Sequence, residues 1–388
     1  MSQAVQSGAE HVARRTRAGE AFFGTEAEQI ARLCHLMAER FARGGRLIAL
    51  GCSPAARSDA RHVAVEFVHP VIVGKRALPA IGLTDASQME LLAEPDDIAI
   101  VFDPDPEPVR AARARGCLTI GVCPHAEAEW IFVPPTDDPF VAQELIETLY
   151  HVLWELVHVF FEHRGLLAGR PSGAVHDTGA SSFLYPFLAA REDGLETVVA
   201  DVRRSVLMKA EEVADLRRQT LTDGSAVLAG AAAELRGALD AGGQLLALGN
   251  GGSATDAMDV VADFRSPPVD WPARPAIDLT EDPAILTAIA NDIGVEAMFA
   301  RQVIAYGRPG DVLIAISTSG GSPNVIAALA EARRRDLRTI ALVGYDGGQV
   351  AAEGLADHVV VTRSQHIPRI QEAQASAYHV LRELVESQ

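Results

Sequence analysis

One 15-residue segment occurs twice in this chain, and the repeat restricts the folds that the chain can adopt. Residues 371–385 read QEAQASAYHVLRELV, and residues 143–157 read QELIETLYHVLWELV. Nine of the fifteen positions are identical. A repeat of this length indicates two copies of one domain. The 388 residues are enough for two domains that each enclose a hydrophobic core.

Short apolar segments recur in matched pairs along the two copies. They predict the strands Leu47–Gly51 and Leu245–Gly249, Ile98–Phe102 and Val312–Ile316, Leu118–Val122 and Arg338–Leu342, and Ile131–Val133 and Val359–Val361. Helical sequence separates these strands and also opens the chain, up to about Ala42. Buried strands that alternate with helices predict an α/β fold, with a parallel sheet covered on both faces in each copy.

The two copies are joined by a segment rich in Gly, Pro, Ser and Ala. We predict a first domain over residues 1–168, a linker over residues 169–190 and a second domain over residues 191–388. The number of residues that separates matched positions of the two copies grows along the chain. The second copy therefore carries about 30 additional residues, many of them around Leu286–Gly307.

Composition excludes several classes of partner. The formal net charge of −18 argues against binding nucleic acid through a basic surface. No apolar run reaches the roughly 20 residues that span a bilayer, and residues 1–17 lack the apolar stretch of a signal peptide. The four cysteines form no Cys-x-x-Cys pair. We therefore expect a cytoplasmic protein with reduced thiols and with neither a nucleic-acid nor a membrane partner.

Two loops of the second copy, Gly249–Ser253 and Ser317–Ser322, follow predicted strands and precede predicted helices. Glycines let backbone N–H groups converge, hydroxyls add donors, and a helix N-terminus adds partial positive charge. Pro323 suits the first position of a helix, which makes Ser322 its N-cap. Any Gly/Ser loop between a strand and a helix looks like this, but two of them at the carboxyl ends of strands favour a phosphate site. The predicted phosphate-binding residues are Asn250, Gly251, Gly252, Ser253, Ser317, Thr318, Ser319 and Ser322.

The first copy lacks such loops. Its counterpart of the second loop, residues 103–108, contains three carboxylates and three prolines. The carboxylates repel a phosphate, and the prolines offer no N–H to bind one. We predict that this loop is a solvated turn and binds no phosphate.

A candidate metal site lies in the first copy. His62 and Glu66 share one face of a predicted helix at i, i+4, and Gln143 and His151 share a face two turns apart. Two imidazoles, a carboxylate and an amide oxygen form a four-ligand set for a divalent ion. The alternative is an ordinary surface pair, since His-x-x-x-Glu taken alone is weak evidence for a metal.

The second copy has Asp259 and Asp263 at the matching helix positions and retains Gln371 and His379. This set binds a metal more weakly or prefers a harder ion. It can also act without metal, with Asp263 as base and His379 as acid. The alternative is that Gln371 and His379 serve only helix packing.

The second copy resembles the sugar isomerase (SIS) domain family, and within it the phosphoheptose isomerases, over about residues 190–388. The motifs that carry the resemblance are Gly249–Ser253, Asn291-Asp292, Ser317–Ser322 and Arg369–Glu372. About residues 20–165 resemble the same family through the strand pattern and the metal-type residues of the first copy. The resemblance implies two tandem SIS domains, each a three-layer α/β/α sandwich with a flavodoxin-like parallel sheet. It also implies a homodimer that forms a pseudo-tetramer of SIS domains.

The resemblance further implies which residues act. Asn291, Asp292 and Gln371 would contact the sugar phosphate together with the two loops. Proton transfer would fall to catalytic residues in one copy or the other: Asp263 and His379, and Glu66 and His151. A Zn²⁺ ion would be bound by one or both of two sets: His62, Glu66, Gln143 and His151, and Asp259, Asp263, Gln371 and His379.

The reaction of the family interconverts sedoheptulose 7-phosphate and D-glycero-D-manno-heptose 7-phosphate, an aldose–ketose isomerisation through an enediol. We therefore predict an isomerase. The chain departs from the family pattern at Asp259 and Asp263, where His and Glu are usual, and at Pro368, where an acidic residue is usual. These departures favour the alternative, a non-catalytic phosphosugar sensor or adaptor. A divided site that pairs the loops of the second copy with the metal-type residues of the first is a further hypothesis.

Overall fold

A computed structural model describes residues 3–71, 75–124, 127–162, 166–167 and 194–387. The chain packs as two compact units. The first unit is Arg17–Glu212, and the second unit is Met1–Thr16 together with Val213–Gln388. The predicted domain ranges 1–168 and 191–388 follow the sequence repeat and stay a prediction. The predicted linker, 169–190, lies outside the described residues.

Helices and short strands alternate in the first half of the chain. In chain order its elements are α1 (Gln3–Ala42), β1 (Leu47–Leu50), α2 (Pro54–Val68), β2 (Ala80–Leu83), α3 (Ser87–Leu92), β3 (Ile98–Val101), α4 (Glu107–Ala114), β4 (Leu118–Gly121), β5 (Trp130–Ile131) and α5 (Pro139–Glu162).

The second half repeats this alternation. Its elements are α6 (Leu195–Asp223), α7 (Ser225–Asp240), β6 (Leu245–Gly249), α8 (Gly252–Arg265), β7 (Ala276–Asp278), α9 (Pro283–Asp292), a 3₁₀ helix (Val295–Ala297), α10 (Met298–Tyr306), β8 (Val312–Ser317), α11 (Pro323–Arg334), β9 (Arg338–Gly344), α12 (Gly348–Ala352), β10 (His358–Thr362) and α13 (Ile367–Glu386). The helices α9 and α10 fall in the region where the sequence predicted additional residues.

Among the described residues, each half contains one five-stranded sheet in which neighbouring strands are parallel. The strand orders are β2-β1-β3-β4-β5 and β10-β9-β8-β6-β7, which is the flavodoxin-like order in both repeats. The predicted fold is confirmed, and each predicted strand overlaps an observed one. The sequence did not reveal β2 and β7. Both are short strands at the edge of a sheet, and in β2 only Leu83 is buried, so their apolar signal is weak.

Alternate residues of the strands enter two separate cores. In β3, Ile98 and Ile100 pack in the core that contains residues of α1 and α5. Ala99 and Val101 pack in the opposite core, with residues of α3 and α4. In the same way, β6 divides its residues between a core with α7, α8 and α13 and a core with α10 and α11. Successive strand residues point to opposite faces, so each half has three layers with its sheet in the middle.

The long helices α1 and α6 each contribute to both units. Val12 of α1 packs against the core of the second unit, although most of the helix lies in the first. Val202 of α6 lies in the core of the first unit, where Lys209 also forms an ion pair with Glu155 of α5. Each unit therefore contains the start of a helix that ends in the other unit.

Glu383 of α13 holds the start of α1 in the second unit, and the repeat places it at the position that matches Glu155. Its carboxylate accepts hydrogen bonds from Arg14 at 2.8 Å and Arg15 at 3.3 Å, and it lies 2.7 Å from His11. Burial by itself raises the pKa of Glu383. The hydrogen bond from His11 and the charges of Arg15, His11 and Arg14 outweigh burial and lower this pKa to about 2.

The described part of the chain contains no helix that is both long and apolar enough to cross a membrane.

Candidate phosphate cradle and buried acid–base clusters

The two Gly/Ser loops lie side by side in the second unit, because they follow the neighbouring parallel strands β6 and β8. We call Gly249–Ser253 and Ser317–Ser322 together the cradle. The helix after each loop, α8 or α11, begins at this same edge of the sheet. From β6 the chain goes on to β7 on one side, and from β8 it goes on to β9 on the other. Such a reversal of strand order is where open α/β sheets bind ligands.

Glycine is required at particular points of the cradle. Gly251 has φ 59° and ψ −126°, a conformation that residues with a Cβ rarely adopt. Gly320 also has φ 59°, and a Cβ there would lie 2.2 Å from the carbonyl oxygen of Gly347. These two residues let the backbone of each loop turn tightly and leave its N–H groups near one another.

Serine hydroxyls cluster in the second loop. The Oγ of Ser317 lies 3.5 Å from the Oγ atoms of both Ser319 and Ser322, and it accepts a hydrogen bond from the Gly320 N–H at 3.2 Å. Ser322 occupies the predicted N-cap position and Pro323 begins α11, but the Ser322 side chain makes no capping hydrogen bond. Its hydroxyl lies with the other serines instead. The cluster therefore offers several hydroxyl donors beside a helix N-terminus.

A pair of asparagines joins the first loop to the start of α11, the helix that follows the second loop. The side-chain amide of Asn250 donates to Asn324 at 2.9 Å, and that of Asn324 donates back to Asn250 at 2.8 Å. Asn324 is 6% exposed and also accepts from the N–H of Val325. Sequence reasoning missed Asn324, because it lies beyond the Gly/Ser pattern, in the first turn of α11. The reciprocal bonds hold the first loop beside the start of α11 and so support a cradle built from both loops.

The other predicted contact residues differ in position. Gly252 and Ser253 are buried in the first turn of α8, and Thr318 is half-buried in the second loop. Asn291 and Asp292 lie at the end of α9, where both are exposed and their side chains hydrogen-bond to each other at 2.7 Å. The structure therefore places this pair on the surface of α9 rather than in the hydrogen-bonded cluster of the cradle. Their contact with the sugar stays a prediction.

Three predicted residues of the second unit come together in a buried cluster. His379 of α13 places its Nε2 atom 3.5 Å from a carboxylate oxygen of Asp259 and 3.6 Å from one of Asp263, both on α8. The hydroxyl of Tyr378 donates to Asp259 at 2.8 Å. Sequence reasoning missed Tyr378, although the repeat retains a tyrosine before the histidine in both copies. A carboxylate in contact with an imidazole is a base–acid pair suited to proton transfer.

This second-unit cluster is separated from the cradle along α8. With a rise of about 1.5 Å per residue, Asp259 and Asp263 lie about 10 and 16 Å from the start of the helix. Gln371 lies on α13 two turns before His379 and is buried. Asp259 and Asp263 therefore lie about two and three turns along α8 from the first loop of the cradle.

The first unit contains a second buried cluster, with a membership that the sequence did not fully predict. Atoms of His62, Glu147 and His151 lie within 4.8 Å of one another, and the Nε2 atoms of the two histidines are 3.3 Å apart. Glu66 is also present, 3.9 Å from His62. Glu147 was missed, although it precedes His151 by one helical turn, a spacing that could have identified it. Gln143 lies on the same helix and donates to the Oγ of Ser58 at 3.5 Å.

The two clusters differ in their fit to a metal ion. Two imidazoles and a carboxylate in contact are the donor set of many zinc sites, so His62, Glu147 and His151 fit Zn²⁺. One imidazole and two carboxylates, as at Asp259, Asp263 and His379, form a more oxygen-rich set that suits harder ions. Both groups could hold a metal, but the first unit fits zinc better.

Comparisons with known proteins identify the domain type of the second half of the chain. The SIS domain family matches residues 210–344. A phosphoheptose isomerase of Chlorobium phaeobacteroides is 47% identical over 178 residues, which cover 45% of this chain and 77% of that protein. A phosphoheptose isomerase of Aromatoleum aromaticum is 44% identical over 186 residues, which cover 47% of this chain and 92% of that protein.

The whole chain also has a structural counterpart. The C-terminal domain of a glucosamine-fructose-6-phosphate aminotransferase from Francisella tularensis superposes with a TM-score of 0.60, over 97% of this chain and 94% of that one. At 9% identity this likeness concerns the fold alone. With two flavodoxin-like sheets and the close relatives above, the chain belongs to the phosphoheptose isomerase family of SIS-domain proteins, as a tandem of two SIS domains.

Proposed function

We propose that the chain binds a seven-carbon sugar phosphate in the cradle and interconverts sedoheptulose 7-phosphate and D-glycero-D-manno-heptose 7-phosphate. The observation that carries the proposal is the cradle itself, two Gly/Ser loops of which the first is held beside the start of α11 by the Asn250–Asn324 pair. The relatives named above are phosphoheptose isomerases. A phosphate group is the anion that such a cradle suits.

In this proposal the substrate carries its phosphate on the last carbon. The reacting carbons C1 and C2 are then at the opposite end of the molecule from the phosphate. Asp263 removes a proton from the carbon next to the carbonyl, and the C1–C2 enediol forms. His379 returns a proton to the neighbouring carbon while the hydroxyl proton moves from O1 to O2, so that aldose and ketose have the same atoms. The contact between Asp263 and His379 at 3.6 Å lets the proton pass back and resets the pair.

The metal in this proposal belongs mainly to the first unit. His62, Glu147 and His151 would bind Zn²⁺, with Glu66 beside them. A bound Zn²⁺ supplies a Lewis acid that polarises oxygen atoms of a substrate or holds its ligands in place. In the second unit, Asp259 orients His379 through their contact, and Tyr378 holds Asp259.

A second candidate function is a phosphosugar-binding sensor or adaptor without catalysis. Two observations favour it. His379 is 0% exposed, and Asp259 and Asp263 are also buried, so the cluster is closed to a ligand in this conformation. Asp263 is also one methylene shorter than glutamate, which moves a catalytic carboxylate by roughly an ångström.

One experiment separates the two candidates. The protein is incubated with sedoheptulose 7-phosphate in deuterated water, once with added Zn²⁺ and once with a chelator, and the sugar is followed by NMR. The isomerase incorporates deuterium at C1 or C2 and produces the aldose. Binding of the sugar phosphate without any exchange, with or without Zn²⁺, would establish the sensor. Absence of both binding and exchange would reject both proposals.

A further inference from the structure

The first unit has a counterpart of the cradle at the carboxyl ends of β1 and β3, which are neighbours in their sheet as β6 and β8 are in theirs. Here the backbone N–H groups of Cys52 and Ser53, just before α2, both donate to the carboxylate of Asp103. The bond from Ser53 measures 3.2 Å. The helix α2 is 15 residues long and begins with Pro54, so its N-terminus favours an anion at this point.

The position of Asp103 in the repeat is informative. Ile98 opens β3 and Val312 opens β8, so the residue five places further on is Asp103 in one copy and Ser317 in the other. Ser317 is the residue at which the hydroxyls of the cradle converge. The same point of the fold thus carries a neutral hydroxyl in the second unit and a carboxylate in the first.

Two thiols, those of Cys52 and Cys123, lie near the carboxylate of Asp103. Burial, and after it the Asp103 carboxylate, raises the pKa of the thiols of Cys52 and Cys123. The thiol of Cys123 also donates to the backbone carbonyl of Asp103 at 3.1 Å. An external phosphate would meet this charge at short range and would lose the two N–H donors that Asp103 already uses.

We propose that Asp103 is an internal substitute for phosphate, and that its side chain fills an anion site which the first unit has otherwise kept. The carboxylate accepts hydrogen bonds from the N–H groups just before α2, so these groups need no ligand as a hydrogen-bond partner. Removal of the carboxylate then opens a site for a phosphate dianion, formed by the N–H groups of Cys52 and Ser53. This inference concerns the first unit and does not depend on the activity proposed for the second.

The test replaces the carboxylate by the residue of the other copy. In Asp103→Ser, amide hydrogen exchange in the segment 51–57 is followed by mass spectrometry, with and without millimolar inorganic phosphate. Without phosphate we expect exchange about fivefold faster than in the parent protein, because two hydrogen bonds are lost. With phosphate we expect the variant to return toward the parent rate, while the parent protein does not respond in this segment.

A matched control lies in the same loop. Asp105 accepts a hydrogen bond from the N–H of Glu107 at 3.0 Å, and both partners of this bond lie in the loop itself. Asp105→Ser should leave exchange in that segment unchanged. Unaltered exchange in Asp103→Ser would overturn the proposal, because Asp103 would not be the partner of these amides. Faster exchange that phosphate does not slow would also overturn the proposal, because the N–H groups of Cys52 and Ser53 would then bind no phosphate.

Discussion

At the scale of single residues, the two copies have distributed their chemistry differently. The second unit has the cradle and two aspartates on α8. At the matching positions the first unit has a histidine and a glutamate on α2, and it has Asp103 where the cradle has Ser317. The motifs of the cradle could be predicted because they are local in sequence. The role of Asn324 could not, because it arises from hydrogen bonds to a residue 74 positions away, and the repeated Tyr-His pair marked Tyr378 without revealing its partner 119 positions away.

The acid–base role that we propose for Asp263 gives the first prediction. Asp263→Asn keeps the size of the side chain but removes the base, so we expect turnover of sedoheptulose 7-phosphate to fall at least about 100-fold. The affinity of the protein for this sugar phosphate should change little, because the cradle holds the phosphate group. Steady-state kinetics and calorimetry measure the two effects. The control is Asp270→Asn, at an exposed position. Equal losses of turnover and of affinity would show that Asp263 serves binding or folding instead.

Two adjacent glycines of the cradle give the second prediction. Gly320→Ala forces a Cβ against the Gly347 carbonyl at a positive φ, so we expect a loss of about 1–3 kcal/mol in unfolding free energy and weaker phosphate binding. Gly321→Ala is the control, since the nearest atom to its Cβ lies 3.9 Å away. Urea unfolding and a phosphate titration give both quantities. If the two variants behaved alike, the tight turn at Gly320 would not matter for the cradle.

At the scale of elements, the strand pattern predicted most of both sheets because buried parallel strands are continuous apolar runs. The division of α1 and α6 between the two units could not be predicted. It depends on contacts such as Arg14 with Glu383, which are 369 residues apart. The amphipathic pattern of a helix says which face is buried but not which sheet buries it.

Glu383 gives the third prediction, on the attachment of α1 to the second unit. Glu383→Gln removes the carboxylate that accepts hydrogen bonds from Arg14 and from the buried Arg15, so we expect a loss of about 3 kcal/mol in unfolding free energy at pH 7. Because the folded pKa of about 2 lies below the usual value of 4.5, the stabilisation is present above pH 4.5 and is lost as the pH falls toward 2. The difference between parent and variant should therefore shrink in acid. Urea unfolding between pH 7 and pH 3 measures it, with Glu353→Gln, at an exposed position, as the control. A difference that did not change with pH would contradict the role of the charge.

At the scale of the whole molecule, we propose that one fold serves two different chemical tasks. The first unit has the set of donors that fits zinc, and the second has the cradle for a phosphate. The formal charge of −18 repels an anionic substrate from the molecule as a whole. Binding of such a substrate must therefore come from hydrogen-bond donors at the site itself.

The fourth prediction concerns metal content. We expect the purified protein to retain zinc and Glu147→Gln to bind it about 100-fold more weakly, since a carboxylate ligand is lost. Asp259→Asn, in the other cluster, should leave the zinc content unchanged. Elemental analysis and competition with a chelator measure both variants without reference to activity. Loss of zinc in Asp259→Asn alone would assign the metal to the second unit instead.

The claim on which the whole account depends is that the cradle of the second unit recognises a phosphate group on a sugar. Calorimetric titration with sedoheptulose 7-phosphate, and in parallel with unphosphorylated sedoheptulose, tests it directly. We expect the phosphate ester to bind and the free sugar to bind at least about 100-fold more weakly, because charge-assisted hydrogen bonds to the phosphate supply most of the affinity. Equal affinities for the two sugars, or no binding of the phosphate ester, would contradict the account.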